Sequence, residues 1–185
     1  MGSHPMQYKW EPSESEGVDF IIKTALESLK DDPVAVRRRQ LSSSQFVIWD
    51  KPSGGDARVE IVEFSDLECP ACKSKWTLIR TVLNEFGASV RHGMVSYPLT
   101  TIHPWDYRAA SATWCVGQQD AEAVIPFKET FYALQRDMGV SEVTPTSIDF
   151  VAGNNLDEQS FRSCYLRDPS IRAVHGQMTL GNGLG

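Results

Sequence analysis

Two cysteines separated by two residues, Cys69 and Cys72, are the residues of this sequence best suited to chemistry. The thiolate, not the thiol, attacks a disulfide, so a redox cysteine needs surroundings that favour its ionised form. Cys69 is predicted to cap a helix that opens with Pro70, where unpaired backbone N–H groups and the helix dipole favour an anion. Cys72, one turn further, would then resolve a mixed disulfide formed at Cys69. The pair therefore predicts thiol/disulfide exchange.

An acidic residue, Glu63, precedes the cysteines on a predicted strand and shares one strand face with Val59 and Ile61. Interior strands of a parallel sheet are buried on both faces, so a carboxyl group at this position requires an explanation. Burial without a partner would raise the pKa of Glu63 and make it a proton acceptor or donor beneath Cys72. The alternative is an edge strand with Glu63 in solvent.

The same cysteines could instead form half of a zinc site, which needs two further ligands. The remaining candidates form no second close pair: Cys115, Cys164, His92, His103 and His175. We therefore favour a redox pair and predict neither a metal nor a cofactor. His103 precedes Pro104, which suits the first turn of a helix, and is expected to cap or pack against that helix. A place for His103 on the active face is the alternative.

Two further cysteines, Cys115 and Cys164, lie in predicted helices. If bonded to each other, they would close a long loop, and the chain-entropy model of disulfides gives a stabilisation of roughly 4 kcal/mol. Two inert buried thiols are the alternative, because the distance between their Cα atoms cannot be read from the sequence.

Hydrophobic patterning predicts the elements that position the cysteine pair. The stretch from Arg58 to Asp66 is typical of a strand, Pro70 to Phe86 of a helix with an apolar stripe, and Ser89 to Tyr97 of a second strand. Strand, helix and strand with short joins form a βαβ unit, in which the strands are parallel. Chemistry in such units takes place at the carboxyl end of the first strand, where Cys69 falls.

Turn-forming and helix-breaking residues divide the rest of the chain into distinct segments. Residues 1–6 lack the charged and apolar regions of a signal peptide and are interpreted as an expression scar. Residues 7–44 are a polar and helical N-terminal segment, with one helix predicted from Val18 to Leu29. Residues 45–100 contain the βαβ unit with its CxxC, and residues 101–180 are predicted to form a block of about five helices.

Composition and charge restrict the class of protein. The hydrophobic share of 41% and the charged share of 23% are typical of a globular domain. A formal net charge of −6 offers no basic surface for a phosphate backbone, so nucleic acid is not an expected partner. No run approaches the roughly 18 apolar residues that a membrane-spanning helix requires.

Three segments, VEIVEFSDLECPACK, YPLTTIHPWDYRAASATWC and SFRSCYLRDPSIRAVHGQMTLGNGLG, together resemble the DsbA-like thiol/disulfide oxidoreductases of the bacterial cell envelope. The resemblance runs from about residue 46 to residue 185. It implies an α/β, thioredoxin-like fold with an inserted helical domain. It also implies that Cys69 is the nucleophile, Cys72 the resolving cysteine and Glu63 the buried acid. Some members carry a second, non-catalytic disulfide in the helical domain, which Cys115 and Cys164 resemble.

The sequence departs from this family at two places. Pro70 and Ala71 stand where the strongly oxidising members have Pro and His, which leaves the oxidising strength open. Family members also continue, after a GLG-like segment, into a cis-proline loop, two strands and a final helix. Residues 181–185 are therefore interpreted as the start of the return to the thioredoxin domain, so the fold is expected to be incomplete at the C-terminus.

The resemblance implies an enzyme that oxidises protein dithiols through a redox-active CxxC in the periplasm or another extracytoplasmic compartment. Its expected partners are unfolded or partly folded protein thiols and a membrane redox partner that re-oxidises or reduces it. A native signal or anchor would then be absent from the sequence given. Three alternatives stay open: a disulfide isomerase or reductase, a non-catalytic thioredoxin-like binding module, and a glutathione-dependent enzyme on the same scaffold.

Overall fold

The computed structural model of the protein describes residues 33–50 and 58–184. The chain divides into two compact units, residues 1–43 and residues 44–185. Within the described part of the first unit lies helix α1 (Pro33–Ser42). The helix predicted from Val18 to Leu29 and the scar assigned to residues 1–6 lie outside the described residues. The candidate site belongs to the second unit.

The second unit begins with a sheet and a helix and continues as a series of helices, in the predicted order of strand, helix, strand and helical block. A turn of 3-10 helix, Gly87–Ser89, joins the first of these helices to the strand that follows. The elements are β1 (Ile48–Trp49), β2 (Val59–Ser65), α2 (Pro70–Phe86), β3 (Val90–Ser96), α3 (Asp106–Gln119), α4 (Val124–Leu134), α5 (Val143–Gly153), α6 (Glu158–Cys164) and α7 (Asp168–Leu184).

The sheet has the strand order β1-β3-β2. Strands β2 and β3 are parallel, with Glu63 opposite Met94, and β1 runs antiparallel to β3. Within the described residues β2 therefore lies at a sheet edge, and the expectation of an interior strand is wrong for this part of the chain. The Glu63 side chain is nevertheless only 9% exposed, because side chains from β3 and α4 contact its carboxylate. The solvent-exposed alternative is therefore also wrong.

The central strand, β3, is buried at all seven positions. Its glycine, Gly93, is needed for the close approach of the chain around β1. A Cβ atom at this position would lie 2.5 Å from the Val47 side chain and 2.9 Å from the Trp49 ring. Any larger residue would therefore push β1 away from the sheet.

Helix α2 starts and stops as its sequence predicts. Pro70 occupies its first turn, Trp76 is buried, and Gly87 ends it with a φ of +46° while donating its N–H to the Leu83 carbonyl. The start of α3 differs from the prediction, because Pro104 lies before the helix rather than in its first turn.

Helix α3 forms the centre of the helical block and is buried along most of its length. Cys115 on this helix, which is 1% exposed, is disulfide-bonded to Cys164 at the end of α6. Their Cα atoms are 5.8 Å apart, and 49 residues separate them in the sequence. The bond therefore links two helices that are distant in the chain.

We predict that reduction of this disulfide lowers the free energy of unfolding by about 4 kcal/mol, because the unfolded chain regains the entropy of a long loop. The measurement is urea unfolding, with and without reductant, of a Cys69→Ser/Cys72→Ser variant in which only the Cys115–Cys164 bond can respond. A further Cys115→Ala/Cys164→Ala variant serves as the control and should be insensitive to reductant. A shift below about 1 kcal/mol would contradict the prediction.

Candidate active site

Cys69 occupies the N-cap position of α2, with extended backbone angles (φ −76°, ψ 118°) and Pro70 directly after it. Its side chain makes no capping hydrogen bond. The backbone turn before the helix is held instead by Asp66, whose Oδ1 accepts from the N–H groups of Glu68 at 2.9 Å and Cys69 at 3.0 Å. The Cys69 sulfur is thus left available at the positive end of the helix.

Cys72 lies one turn into α2. Neither Cys69 nor Cys72 is in a disulfide, and both are partly buried. Burial raises the pKa of the Cys72 thiol to about 11, and the neighbouring Cys69 adds to the increase. The two sulfurs therefore differ, with an outer thiol at a helix terminus and an inner thiol that ionises poorly.

Glu63 is the centre of a buried polar cluster. Its Oε2 accepts hydrogen bonds from Lys128 Nζ and, at 2.9 Å, from His92 Nε2. The Lys128 side chain is completely buried, and its Nζ lies 3.7 Å from the centroid of the Trp76 ring. The His92 ring packs at a tilt against the same indole, 5.4 Å away between centroids. A carboxylate, an ammonium, an imidazole and an indole thus share one buried region.

The expected increase in the pKa of Glu63 is wrong. Burial alone raises this pKa, but the His92 hydrogen bond and the Lys128 charge outweigh burial and lower it below its usual value. Glu63 is consequently ionised at neutral pH. Burial also lowers the pKa of Lys128 to about 8, although the charges of Glu63 and Cys72 oppose this shift.

Lys128 was not identified from the sequence, although its position carried a signal. In VIPFKETFYAL it lies four residues after Val124 and four before Tyr132, and all three are buried on one stripe of α4. A lysine on the apolar stripe of a helix requires a buried partner, because an unpaired buried charge is costly.

The loops that flank Cys69 are held by carboxylates. Asp66 Oδ2 accepts from the Leu99 N–H at 2.8 Å and from His103 Nδ1 at 2.7 Å. We expected His103 to cap or pack against a helix. Its ring instead bonds to Asp66 in the loop before Cys69, which agrees with the alternative that placed it on the face of the cysteine pair. Glu68 Oε2 accepts from the N–H groups of Trp105 at 2.7 Å and Asp106 at 3.1 Å, and so caps α3 from another part of the chain. This contact explains why α3 begins after Pro104.

A groove of about 690 Å³ opens beside Cys69. Residues from three parts of the second unit border it, including Pro70, Lys73, His103, Trp105, Gln135 and Met138. Gln135 also donates from Nε2 to the Leu67 carbonyl at 2.7 Å, which ties the end of α4 to the loop before Cys69. Glu68 and Pro70, the chain neighbours of Cys69, both line this groove.

Cys115 and Cys164, two of the candidate zinc ligands, are bonded to each other and are therefore not available to a metal ion. In residues 33–50 and 58–184 no group of three or more histidine, cysteine or acidic side chains is arranged to hold a metal ion. The described helices include none that is long and apolar enough to cross a membrane.

A parallel βαβ unit with a CxxC at the start of its helix, followed by a helical block, defines a protein of the thioredoxin fold. A family model described as Thioredoxin matches residues 54–179, and the chain belongs to this family. The expected thioredoxin-like fold with inserted helices is therefore confirmed, and so is the resemblance to DsbA-like proteins, as the following structures show.

Solved structures of DsbA-type proteins share the fold of this chain. The thiol-disulfide exchange protein α-DsbA2 from Wolbachia pipientis aligns with a TM-score of 0.63 and 17% identity, over 87% of this chain and 82% of that one. The catalytic domain of Proteus mirabilis ScsC aligns with a TM-score of 0.62 and 18% identity, over 83% of this chain and 79% of that one. Pseudomonas aeruginosa DsbA2 aligns with a TM-score of 0.55 and 20% identity, over 69% of each chain.

Two curated relatives match a shorter part of the chain. They are the Na(+)/H(+) antiporters NhaA 1 of Salinispora arenicola and NhaA 3 of Salinispora tropica. Each is 36% identical over 66 residues, which are 36% of this chain and 10% of the relative. The match thus spans about a tenth of the length of these relatives.

The buried carboxyl group of Asp106 gives a prediction about pH. Its Oδ1 accepts from the Leu67 N–H at 2.7 Å, and burial, together with the nearby Asp66 charge, raises its pKa well above the usual value. Between the usual and the raised pKa, the folded protein binds more protons than the unfolded chain. Its stability must therefore fall as pH rises through this window.

We expect Asp106→Asn to remove this loss, because the amide oxygen still accepts from Leu67 while the amide carries no charge. The measurement is the free energy of urea unfolding from about pH 5 to about pH 9. Asp137→Asn, at an exposed position, is the control and should follow the wild-type curve. Parallel curves for Asp106→Asn and the wild type would contradict the assignment.

Proposed function

We propose that this protein is a thiol/disulfide oxidoreductase that oxidises protein dithiols, with Cys69 as the nucleophile and Cys72 as the resolving cysteine. The observation that carries the proposal is the position of Cys69, uncapped at the N-terminus of α2, one turn from Cys72 and beside an open groove. Membership of the thioredoxin family supports the same chemistry.

In the proposed reaction the oxidised enzyme holds a Cys69–Cys72 disulfide. A substrate thiolate attacks the Cys69 sulfur, a bond to the substrate forms, and the Cys69–Cys72 bond breaks with its electron pair left on Cys72. A second substrate thiolate then attacks the substrate sulfur of the mixed disulfide and releases Cys69 as a thiolate. The substrate leaves with a disulfide, having lost two electrons to the enzyme.

Glu63 is proposed as the buried acid that exchanges the proton of Cys72. Support comes from the ionised state of its carboxylate and from Lys128, whose charge interacts with both Glu63 and Cys72. A carboxylate in this region can accept the proton that the Cys72 thiol must lose before it attacks a mixed disulfide. Of the two roles expected for Glu63, proton acceptor and proton donor, an ionised carboxylate corresponds to the acceptor.

The Cys115–Cys164 bond is proposed as a non-catalytic staple of the helical block. It is distant in sequence from the CxxC, and Cys115 is buried. Persistent disulfides are typical of oxidising compartments, which supports a periplasmic or other extracytoplasmic location. We propose unfolded or partly folded protein thiols as substrates and a membrane redox protein as the partner that restores the oxidised state.

The decisive experiment compares cysteine variants in the oxidation of a reduced peptide dithiol. Cys69→Ser should abolish exchange, because the attacking and attacked sulfur is lost. Cys72→Ser, incubated with the same peptide in its disulfide form, should accumulate a mixed disulfide, detected by mass spectrometry without reductant. The Cys69 thiolate opens the peptide disulfide, and no second enzyme sulfur is left to resolve the product. Cys115→Ala/Cys164→Ala is the matched control and should retain exchange wherever it remains folded.

Other outcomes would assign the protein elsewhere. Exchange that persists in Cys69→Ser, or cysteines that resist alkylation in the folded protein, would contradict the proposal and favour a binding module. A reduction potential as low as that of thioredoxin, about −270 mV, would favour a reductase or isomerase over an oxidase.

A further inference from the structure

Lys128 is the least expected side chain of the site. It belongs to the helical block, is completely buried, and makes no contact with solvent. Fully buried lysines are rare unless they are paired, and this one is paired with Glu63 across a sequence separation of 65 residues. Its ammonium also lies over the Trp76 ring at 3.7 Å and 5.6 Å from the centroid of the Tyr132 ring.

Connecting α4 to the sheet does not require this charge. One turn further along the helix, Tyr132 already forms a hydrogen bond of 2.8 Å with Ser65 at the end of β2. Replacing a buried ion pair by apolar residues is often neutral for stability or even favourable. A structural role alone therefore leaves the choice of lysine at this position unexplained.

The reaction does contain a step that requires a positive charge in this region. When the Cys69–Cys72 bond opens, the electron pair of that bond is left on the Cys72 sulfur, which is buried and therefore a poor place for a negative charge. Lys128 interacts electrostatically with Cys72 as well as with Glu63. Its ammonium lies over the ring of Trp76, which follows Cys72 by one turn of α2, and Glu63 holds it there.

We infer that Lys128 is a positioning residue of the redox site, whose ammonium, held by Glu63, stabilises the Cys72 thiolate released when the Cys69–Cys72 disulfide opens. The inference rests on the proposed exchange function. It makes the helical block a contributor to the chemistry of the CxxC. No additional oxidant or reductant is needed, because the electrons come from the attacking thiolate.

The pH dependence follows from the groups that face Lys128 on each packed element: Glu63 of β2, His92 of β3, Cys72 and Trp76 of α2, and Glu129 and Tyr132 of α4. Burial brings the pKa of Lys128 to about 8. The ammonium is therefore charged at neutral pH and loses its charge as pH rises above about 8. Stabilisation of the Cys72 thiolate should be lost over the same range.

The test measures how fast glutathione opens the Cys69–Cys72 disulfide between about pH 6 and pH 10, by acid quenching, alkylation and mass spectrometry. Each rate constant is divided by the fraction of glutathione present as thiolate, so that only the enzyme contributes to the pH profile. In the wild type this normalised rate constant should fall as pH rises above about 8. Lys128→Met should lower it about tenfold at neutral pH and flatten the profile, as expected for loss of one nearby charge.

Three variants separate charge from packing. Lys128→Arg retains a cation and should recover most of the rate, whereas Lys75→Met removes an exposed lysine from α2 and should change nothing. The third variant, Glu63→Gln, removes the carboxylate that raises the pKa of Lys128. The fall of its normalised rate constant should therefore move to a pH below that of the wild type.

A Glu63→Gln profile that falls at the wild-type pH would overturn the inference, and so would a Lys128→Met profile that parallels the wild type. Either result would leave the proposed function standing, provided that Cys69→Ser still abolishes exchange. Loss of the proposed function would appear instead as a wild-type disulfide that glutathione does not open at Cys69.

Discussion

The burial of charge beside α2 depends on the ion pair between Glu63 and Lys128. Each charge alone would cost several kcal/mol to bury, so each residue stabilises the other at its position. One lies on β2 and the other on α4, which restricts how the helical block can pack against the sheet. Trp76 of α2 adds to this restriction, because its indole face covers the ammonium.

A second constraint acts on the loop that presents Cys69. Four donors surround the Asp66 carboxylate: the N–H groups of Glu68, Cys69 and Leu99 and the His103 ring. A carboxylate with this many fixed donors acts as a template for the turn, since moving any one of the segments leaves a buried charge less satisfied. The position of Cys69 is thus set by hydrogen bonds to the backbone rather than by contacts of its own sulfur.

The sequence was sufficient for the local part of this structure. Apolar periodicity, Pro70 and Gly87 predicted α2, and the place of Glu63 in the predicted βαβ unit indicated that its side chain is buried. The state of Glu63 could not be predicted, because its pKa depends on Lys128 and His92, which lie 65 and 29 residues away in the chain. For the same reason Pro104 was misleading, since the cap of α3 comes from Glu68, 38 residues before Asp106. Local patterns report burial, whereas the partners of a buried charge are decided by tertiary packing.

The match between α4 and β2 shows how the helical block takes part in the site. Lys128, Tyr132 and Gln135 lie at i, i+4 and i+7 of one helical stripe. Their partners are Glu63 and Ser65 of β2 and the carbonyl of Leu67 in the turn after the strand. From Lys128 to Tyr132 the helix advances by about 6 Å, and from Glu63 to Ser65 the strand advances by about 6.6 Å, so these two contacts stay in phase. A shift of α4 by one residue would move all three side chains away from their partners at once. The placement of the Lys128 charge beside Glu63 and Trp76 is therefore a property of the whole contact between helix and strand.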